Sequence, residues 1–332
     1  MQDFFQILPS IEGAAAEGRS VLFHPKRTAP AIARWGHIVG ASPSWDHPCH
    51  FFDGTEETVR WIFTLDILNH CFWPDPGKPA WSVLYKGEEF SGYWGLAAAL
   101  KRAKEHGIPV TDPRFLAGIS KTELAEIFSF HGPGSVPHSG IEIPMFAERL
   151  ANLQEAGEVI LEKLDGNLMN LFDAASGSAA ALSCLIVSHF PSFRDEALYR
   201  GERVYFWKKA QIFVSDVYCA FGGNSWGAFT DIARLTAFAD YKLPQVLREL
   251  GIISYRPDLA SKIEAMELLE PGSEEEVEIR AMTLHAVERL KQDFLHVGRT
   301  LTSPQIDNWL WNLGQVDEFR KHPYHRCRTI FY

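Results

Sequence analysis

Residues 229–251 read FTDIARLTAFADYKLPQVLRELG, and the fold of the chain turns on how they are taken. Phe229, Ile232, Leu235 and Ala239 recur at helical spacing, which predicts a helix over the first half. Pro244 interrupts it. The residue before a proline avoids the α region, so Leu243 is expected to be extended and the first helix to end near Asp240. Pro244 suits the first turn of a second helix, Pro244 to Leu250, with Gly251 as its stop. Asp240 then falls at the junction, beside the positive end of the second helix, where an ionised carboxylate is favoured. A fixed carboxylate flanked by Phe238 and Tyr241 suits the stabilisation of a positively charged transition state. A plain helix cap accounts for the same position, and caps far outnumber catalytic acids. Asp231 precedes Asp240 by nine residues, about half a turn beyond whole turns of a helix, so the two would face opposite ways. Thr230 or Asp231 is expected to cap the first helix instead.

Outward from this stretch, composition sets bounds. A chain of 332 residues allows one large domain or two ordinary ones. With 46% hydrophobic and 22% charged residues it reads as a globular protein with a substantial core. Its net charge of −10 argues against a polyanion-binding surface, though not against a local basic pocket. Five widely spaced cysteines do not make a disulfide framework, and a reducing cytoplasm is the simplest setting. The start, MQDFFQILPS, lacks the basic and apolar regions of a secretory signal. The most apolar run, Ala179 to Val187, is too short for a bilayer, which needs about 20 residues.

Along the chain, His24, Lys26, Arg27 and Arg34 form a small basic cluster, either a solvated face or a phosphate contact. In SPSWDHPCHFFDGTEE, His47, Cys49 and His50 invite a metal reading, but no paired-ligand spacing follows, so no metal is expected. Thr58 to Phe72 is an apolar helix carrying Asp66 and Asn69 on one face. WPDPGKPAW is a turn, WSVLYKGEEF a strand or edge hairpin, and Ser91 to His106 a helix. Ser120 and Glu123 have the spacing of a capping box over a helix at 120–130. FHGPGSVPHSG (130–140) lacks the ending of a phosphate loop. Residues 142–166 and 167–190 read as two long helices.

In Glu202 to Phe221, Lys209 and Asp216 share a helical face, with Lys208, Gln211 and Ser215 on the adjacent one. Lys209 is the candidate for a substrate phosphate, against an internal ion pair with Asp216 or plain exposure. Gly223–Gly227 (GNSWG) fits the nucleophile-elbow pattern around Ser225, which demands a strand before it and a large sheet beneath it. Few strand-like segments exist, so a loop between helices is expected. In Ser303–Gly314, Asp307, Asn308, Trp311 and Asn312 place a carboxylate and amides beside aromatics, a set suited to a purine edge. In the final HRCRTIFY, Arg326 and Arg328 dock the tail or face solvent.

FADYKLPQVL (238–247) resembles a signature of the queuosine salvage protein family, as do LDILNHCFWPDPGK, SGYWGLAAALKRA, IPVTDPRFL, FPSFRDEA, VEIRA and HRCRTIFY. The resemblance runs from about Thr58 to the C-terminus. It implies a mostly α fold, a single helical domain over 1–332 with at most a small β element, similar to helix-hairpin-helix DNA glycosylases. It further implies release of queuine from queuosine 5′-phosphate without metal or organic cofactor. The family's central aspartate falls on Asp240 and its aromatic on Phe238. Its base-reading segment falls on Asp307, Asn308 and Asn312, where the two asparagines depart from the family pattern. A family histidine falls on His50, with His47 as the alternative, and Lys242 stands where arginine is expected. The expected partner is a small nucleotide rather than a nucleic acid or a membrane, and the expected state is a cytoplasmic monomer. Two other readings are a serine hydrolase using Ser225 and a nucleobase- or tRNA-binding protein without catalysis.

Overall fold

A computed structural model of the chain describes residues 5–40, 44–134 and 141–332. Over these residues run fourteen α-helices, and the strands pair only two at a time. The expected mostly α class holds. The axis of the architecture is the helix Glu274–His296, which packs against Ile7–Glu17, Thr28–Trp35, Lys242–Glu249 and Ser303–Leu313. Its sequence explains its place. Ser273 caps its start, three glutamates follow in the first turn, and apolar residues such as Val277, Ala281, Leu284 and Val287 bury its body. Buried side chains from Phe5 to Phe319 merge into one continuous core. Among the described residues no helix is long and apolar enough to cross a membrane.

Several expected elements appear close to their limits. The apolar helix is Glu56–Ile67, capped by Thr55, and the next is Gly92–Glu105. Ser120 and Glu123 close a capping box over Lys121–Phe128. Ser82–Tyr85 and Glu88–Ser91 form the antiparallel hairpin. Residues 142–190 give three helices rather than two: Phe146–Lys163, Asn170–Ala175 and Ala179–His189. The break falls at Ser176 and Gly177, both at positive φ, after which Ser178 caps the last helix. Of the 130–140 loop, residues 135–140 lie outside the described residues, as do Ser42 and Pro43 of the histidine loop.

The decisive stretch differs from its periodicity. Residues 229–240 hold only a single 3-10 turn, Ile232–Arg234, and the chain then runs non-helical from Leu235 to Asp240. The second helix starts earlier than expected, at Lys242, so Leu243 is helical and Pro244 lies within the first turn. That turn tolerates the ring because its N–H groups have no intrahelical acceptor. Gly251, at φ 70, ends it as expected. Tertiary partners override the helical pattern by satisfying the backbone of residues 236–239. Gln211 Oε1 accepts from the Thr236 N–H at 2.8 Å, Asp307 Oδ2 from the Phe238 N–H at 2.7 Å, and Arg280 Nε donates to the Ala239 carbonyl at 3.0 Å. Asp231 caps a different helix from the one expected. It accepts from the Ala179 N–H and from Ser178 Oγ at the start of Ala179–His189.

Candidate active site

Two of the three helices that pin the 236–239 segment, Lys208–Ala220 and Ser303–Leu313, also line a cavity of about 920 Å³. The His47–His50 loop, the turn after Glu56–Ile67 and the C-terminal tail complete its wall. Asp240, Phe238, Asp307, Asn308, Asn312 and His50 all line it, although they come from three distant parts of the sequence.

Asp240 is fixed from one side. Its Oδ1 accepts from the backbone N–H groups of Lys242 and Leu243 at 2.8 and 3.0 Å, at the start of the Lys242–Glu249 helix. It is therefore a helix cap as well as a cavity residue. Its Oδ2 has no protein hydrogen-bond partner among the described residues. Burial raises its pKa, against the opposing pull of Lys208 and the two N–H groups.

Lys208 is the buried cation facing this carboxylate. It opens the Lys208–Ala220 helix, and its Nζ donates to the Asn69 carbonyl at 3.0 Å. Burial lowers its pKa, while Asp240, Asp66 and Asp307 oppose that shift. The cavity face of the helix carries Lys208, Ile212, Ser215, Asp216 and Cys219. Lys209 lies outside the cavity wall, fully buried, with Nζ on the Ile67 carbonyl at 2.9 Å. The lysine on the cavity wall is thus Lys208 and not Lys209, because the helix turns Lys208 to the opening. Nor do Lys209 and Asp216 form an ion pair of 4.0 Å or less among the described residues.

Asp307 sits on the helix Ser303–Leu313, itself opened by a capping box of Thr302 and Gln305. One of its oxygens is spent on Phe238, so the pair of residues expected to hold a base are fixed to each other. Burial, then the nearby Asp240 charge, lifts the Asp307 pKa well above its usual range. On the opposite side His50 stacks on Trp45 at 3.8 Å between ring centres, and His47 stacks on Trp94 at 3.7 Å. Burial pushes the His50 pKa down to about 4, so the ring is neutral at neutral pH. His50 Nδ1 lies 3.1 Å from the Trp45 carbonyl, which can only accept, so the proton sits on Nδ1. Nε2 then accepts from the Tyr93 hydroxyl at 2.8 Å. Both candidate histidines reach the cavity.

Residues to which the sequence assigned no site role complete the wall. Asn69, His70, Cys71 and Phe72 are presented by a turn whose carbonyls at Leu68, His70 and Cys71 all accept from the buried Arg149 guanidinium. No local pattern signals this, since Arg149 lies about eighty residues away. Lys242, Arg320 and Arg326 add cations. The tail does dock: the Tyr332 carbonyl accepts from the Cys71 N–H at 2.9 Å, and Arg326 joins the wall while Arg328 pairs with Asp75 at 2.5 Å. Ser225 is exposed in a 3-10 turn preceded by a helix, not a strand, and lies outside the cavity, which removes the elbow reading. Among the described residues no group of three or more His, Cys, Asp or Glu is placed to hold a metal.

A second buried acid pair backs the site. Burial lifts Asp216 from 3.8 to about 7, against the pull of Lys208. Asp66, fully buried with Oδ2 unpaired, is lifted by burial and then by Asp216. The folded chain therefore holds protons here that the unfolded chain releases. Stability from this source is fully present below 3.8 and is lost as pH rises through about 7. Asp216→Asn is expected to flatten the fall of melting temperature across that window and to gain on the parent above it. Parallel curves for parent and variant would show that Asp216 carries no such proton.

A family model described as queuosine salvage protein matches residues 49–332, which takes in every cavity residue named above except Trp45 and His47. A protein of Sphaerobacter thermophilus named queuosine 5′-phosphate N-glycosylase/hydrolase is 46% identical over 290 residues, 87% of this chain and 86% of that protein. A Mus musculus protein of the same name is 35% identical over 320 residues, 94% and 90% of the two chains. One from Nematostella vectensis, again so named, is 35% identical over 303 residues, 86% and 85%. Identity at this level over nearly the whole length leaves one assignment: the chain belongs to the queuosine salvage protein family.

Proposed function

We propose that the protein hydrolyses the N-glycosidic bond of queuosine 5′-phosphate, releasing queuine and ribose 5-phosphate. The observation that carries the reading is Asp240, held through Oδ1 by two backbone N–H groups and left with Oδ2 unpaired in a cavity lined with aromatic rings. Cleavage of a glycosidic bond passes through an oxocarbenium-like transition state. Asp240 faces that charge and stabilises it, or attacks C1′. Water supplies hydroxide to C1′ and a proton to the departing base nitrogen. A 7-deaza base has no N7 lone pair to protonate, so the leaving group is held by hydrogen bonds. Asp307 offers its free oxygen to the N–H groups of the base edge, beside Asn308 and Asn312. Those N–H groups lower the Asp307 pKa on binding, against the burial that raises it. Phe238 packs against the base, and the neutral His50 aims the Tyr93 hydroxyl. Lys242, Arg320 and Arg326 replace Lys209 as the groups for the phosphate.

The whole chain acts as one unit, since its buried residues form a continuous core. We place it in the cytoplasm as a monomer that engages no nucleic acid, in keeping with five free cysteines and a net charge of −10. No metal or organic cofactor enters the reaction. Mass spectrometry after incubation with queuosine and queuosine 5′-phosphate tests the function. Free queuine and ribose 5-phosphate are expected from the nucleotide. Bound nucleotide recovered whole would make the protein a binder instead.

A further inference from the structure

A second cavity, of about 610 Å³, shares no lining residue with the first. The strand Val21–Phe23 pairs antiparallel with Ile253–Tyr255, which brings the turn Pro25–Arg27 beside the far end of the Lys242–Glu249 helix. The cavity between them gathers Lys26, Arg27 and Arg248 with the imidazoles of His24 and His322. In a chain of net charge −10 this is a local concentration of cations. It also absorbs three of the four residues of the N-terminal basic cluster, while Arg34 pairs elsewhere, with Glu318.

Arg248 is the innermost of them, its side chain 13% exposed. Nη2 donates to Glu264 at 2.7 Å and the guanidinium lies over the Tyr255 ring, yet Nη1 is buried with no partner. A buried guanidinium N–H without an acceptor is costly, and an anionic oxygen is the acceptor that its fork fits. Lys26 and Arg27 are exposed and form no ion pair of 4.0 Å or less among the described residues. Arg27 leans on the turn at Gly251, where a Cβ would stand 3.9 Å from its Nε. The opposing carboxylates are Glu264, which pairs with both Arg248 and His322, and Glu249, which accepts from the His322 N–H. Neither supplies an acceptor to Nη1.

We propose that this cavity is a second anion site, for a small phosphorylated molecule, with a phosphate oxygen on the Arg248 guanidinium and Lys26 and Arg27 closing over the anion. Phe23, Pro25 and Ile253 supply an apolar wall for the organic part. The volume is that of a small-molecule pocket, and the cations converge on a concavity rather than run as the stripe a polynucleotide needs. The site is new relative to the Asp240 cavity and independent of the reaction proposed there.

The test uses the full-length protein and two probes. Crystals soaked in tungstate, a heavy phosphate analogue, are expected to show an anomalous peak within hydrogen-bond reach of the Arg248 guanidinium. Inorganic phosphate titrated calorimetrically into the parent and into Lys26→Ala/Arg27→Ala should bind this site about tenfold more weakly in the double variant, as the loss of charged contacts implies. Both side chains are exposed, so the variant should fold, and neither touches the Asp240 cavity, so nucleotide turnover should stay unchanged. No tungstate at Arg248, or phosphate affinity equal in the two proteins, overturns the proposal. A double variant that loses binding to tRNA while keeping its phosphate affinity overturns it too, and makes this face a polynucleotide surface.

Discussion

Asp240→Asn is expected to lower turnover of queuosine 5′-phosphate by about 100- to 1,000-fold, the usual size of losing one pre-placed electrostatic group at a reacting centre. Asparagine keeps the size of the side chain and, through its amide oxygen, the bonds from the Lys242 and Leu243 N–H groups. It is also a good N-cap, so melting temperature should change little. What disappears is the charge opposing the developing oxocarbenium. An interaction made mainly in the transition state affects rate far more than ground-state affinity, so queuine should bind the variant nearly as well as the parent. Asp307→Ala gives the contrasting pattern in the same assays: weaker queuine binding, because the base edge loses an acceptor and Phe238 its anchor. Single-turnover cleavage measured beside melting temperature separates the two roles of Asp240. Turnover within a few-fold of the parent would reduce Asp240 to a cap.

The second large effect concerns stability. Arg280 donates to both oxygens of Asp195, at 2.8 and 2.5 Å, and lies 3.4 Å from Glu276. Burial works against its charge, but the two carboxylates override burial and hold its pKa above the usual value. The same guanidinium bonds the Ala239 carbonyl, next to Asp240, while Asp195 accepts from the Lys208 N–H at 3.2 Å. One buried pair thus ties the start of the Lys208–Ala220 helix to the 236–240 segment. Arg280→Met leaves Asp195 and Glu276 buried without their cation, at a cost of about 3–5 kcal/mol. For a chain of this size the melting temperature should fall by roughly 4–7 °C. Turnover should fall as well, since Asp240 and Lys208 lose their common tie. The double variant Asp195→Asn/Arg280→Met should recover part of the stability, because it removes the stranded charge. If Arg280→Met melts with the parent, or the double variant is the less stable of the two, the pair is not what holds the segment.

These residues also mark where sequence reading succeeds and fails. Ser120 with Glu123, Gly251 after its helix and the SVLYKGEEF hairpin were legible because a cap, a stop and a turn are settled within a few residues. Asp240, Phe238, Asp307, Asn308, Asn312 and His50 were named from motif and resemblance, and all reach one cavity. Lys208 was passed over for Lys209. Periodicity gives the relative angle of two side chains on a helix but not the phase of that helix toward its neighbours. The roles of Arg149, Arg280 and Tyr93 gave no signal, although the last two lie in quoted motifs, since each acts on chain far away in sequence.

The sequence by itself determined the helical class, a helix beginning shortly after Asp240 and the family, through local backbone preferences and motif content that no distant contact alters. The tertiary structure decided that residues 235–240 are not helical, because Gln211, Asp307 and Arg280 bond the backbone of residues 236–239 more favourably than a marginal helix would. It likewise decided which lysine faces the carboxylates and which protons the buried acids keep, because helix phase and desolvation exist only once the chain has packed.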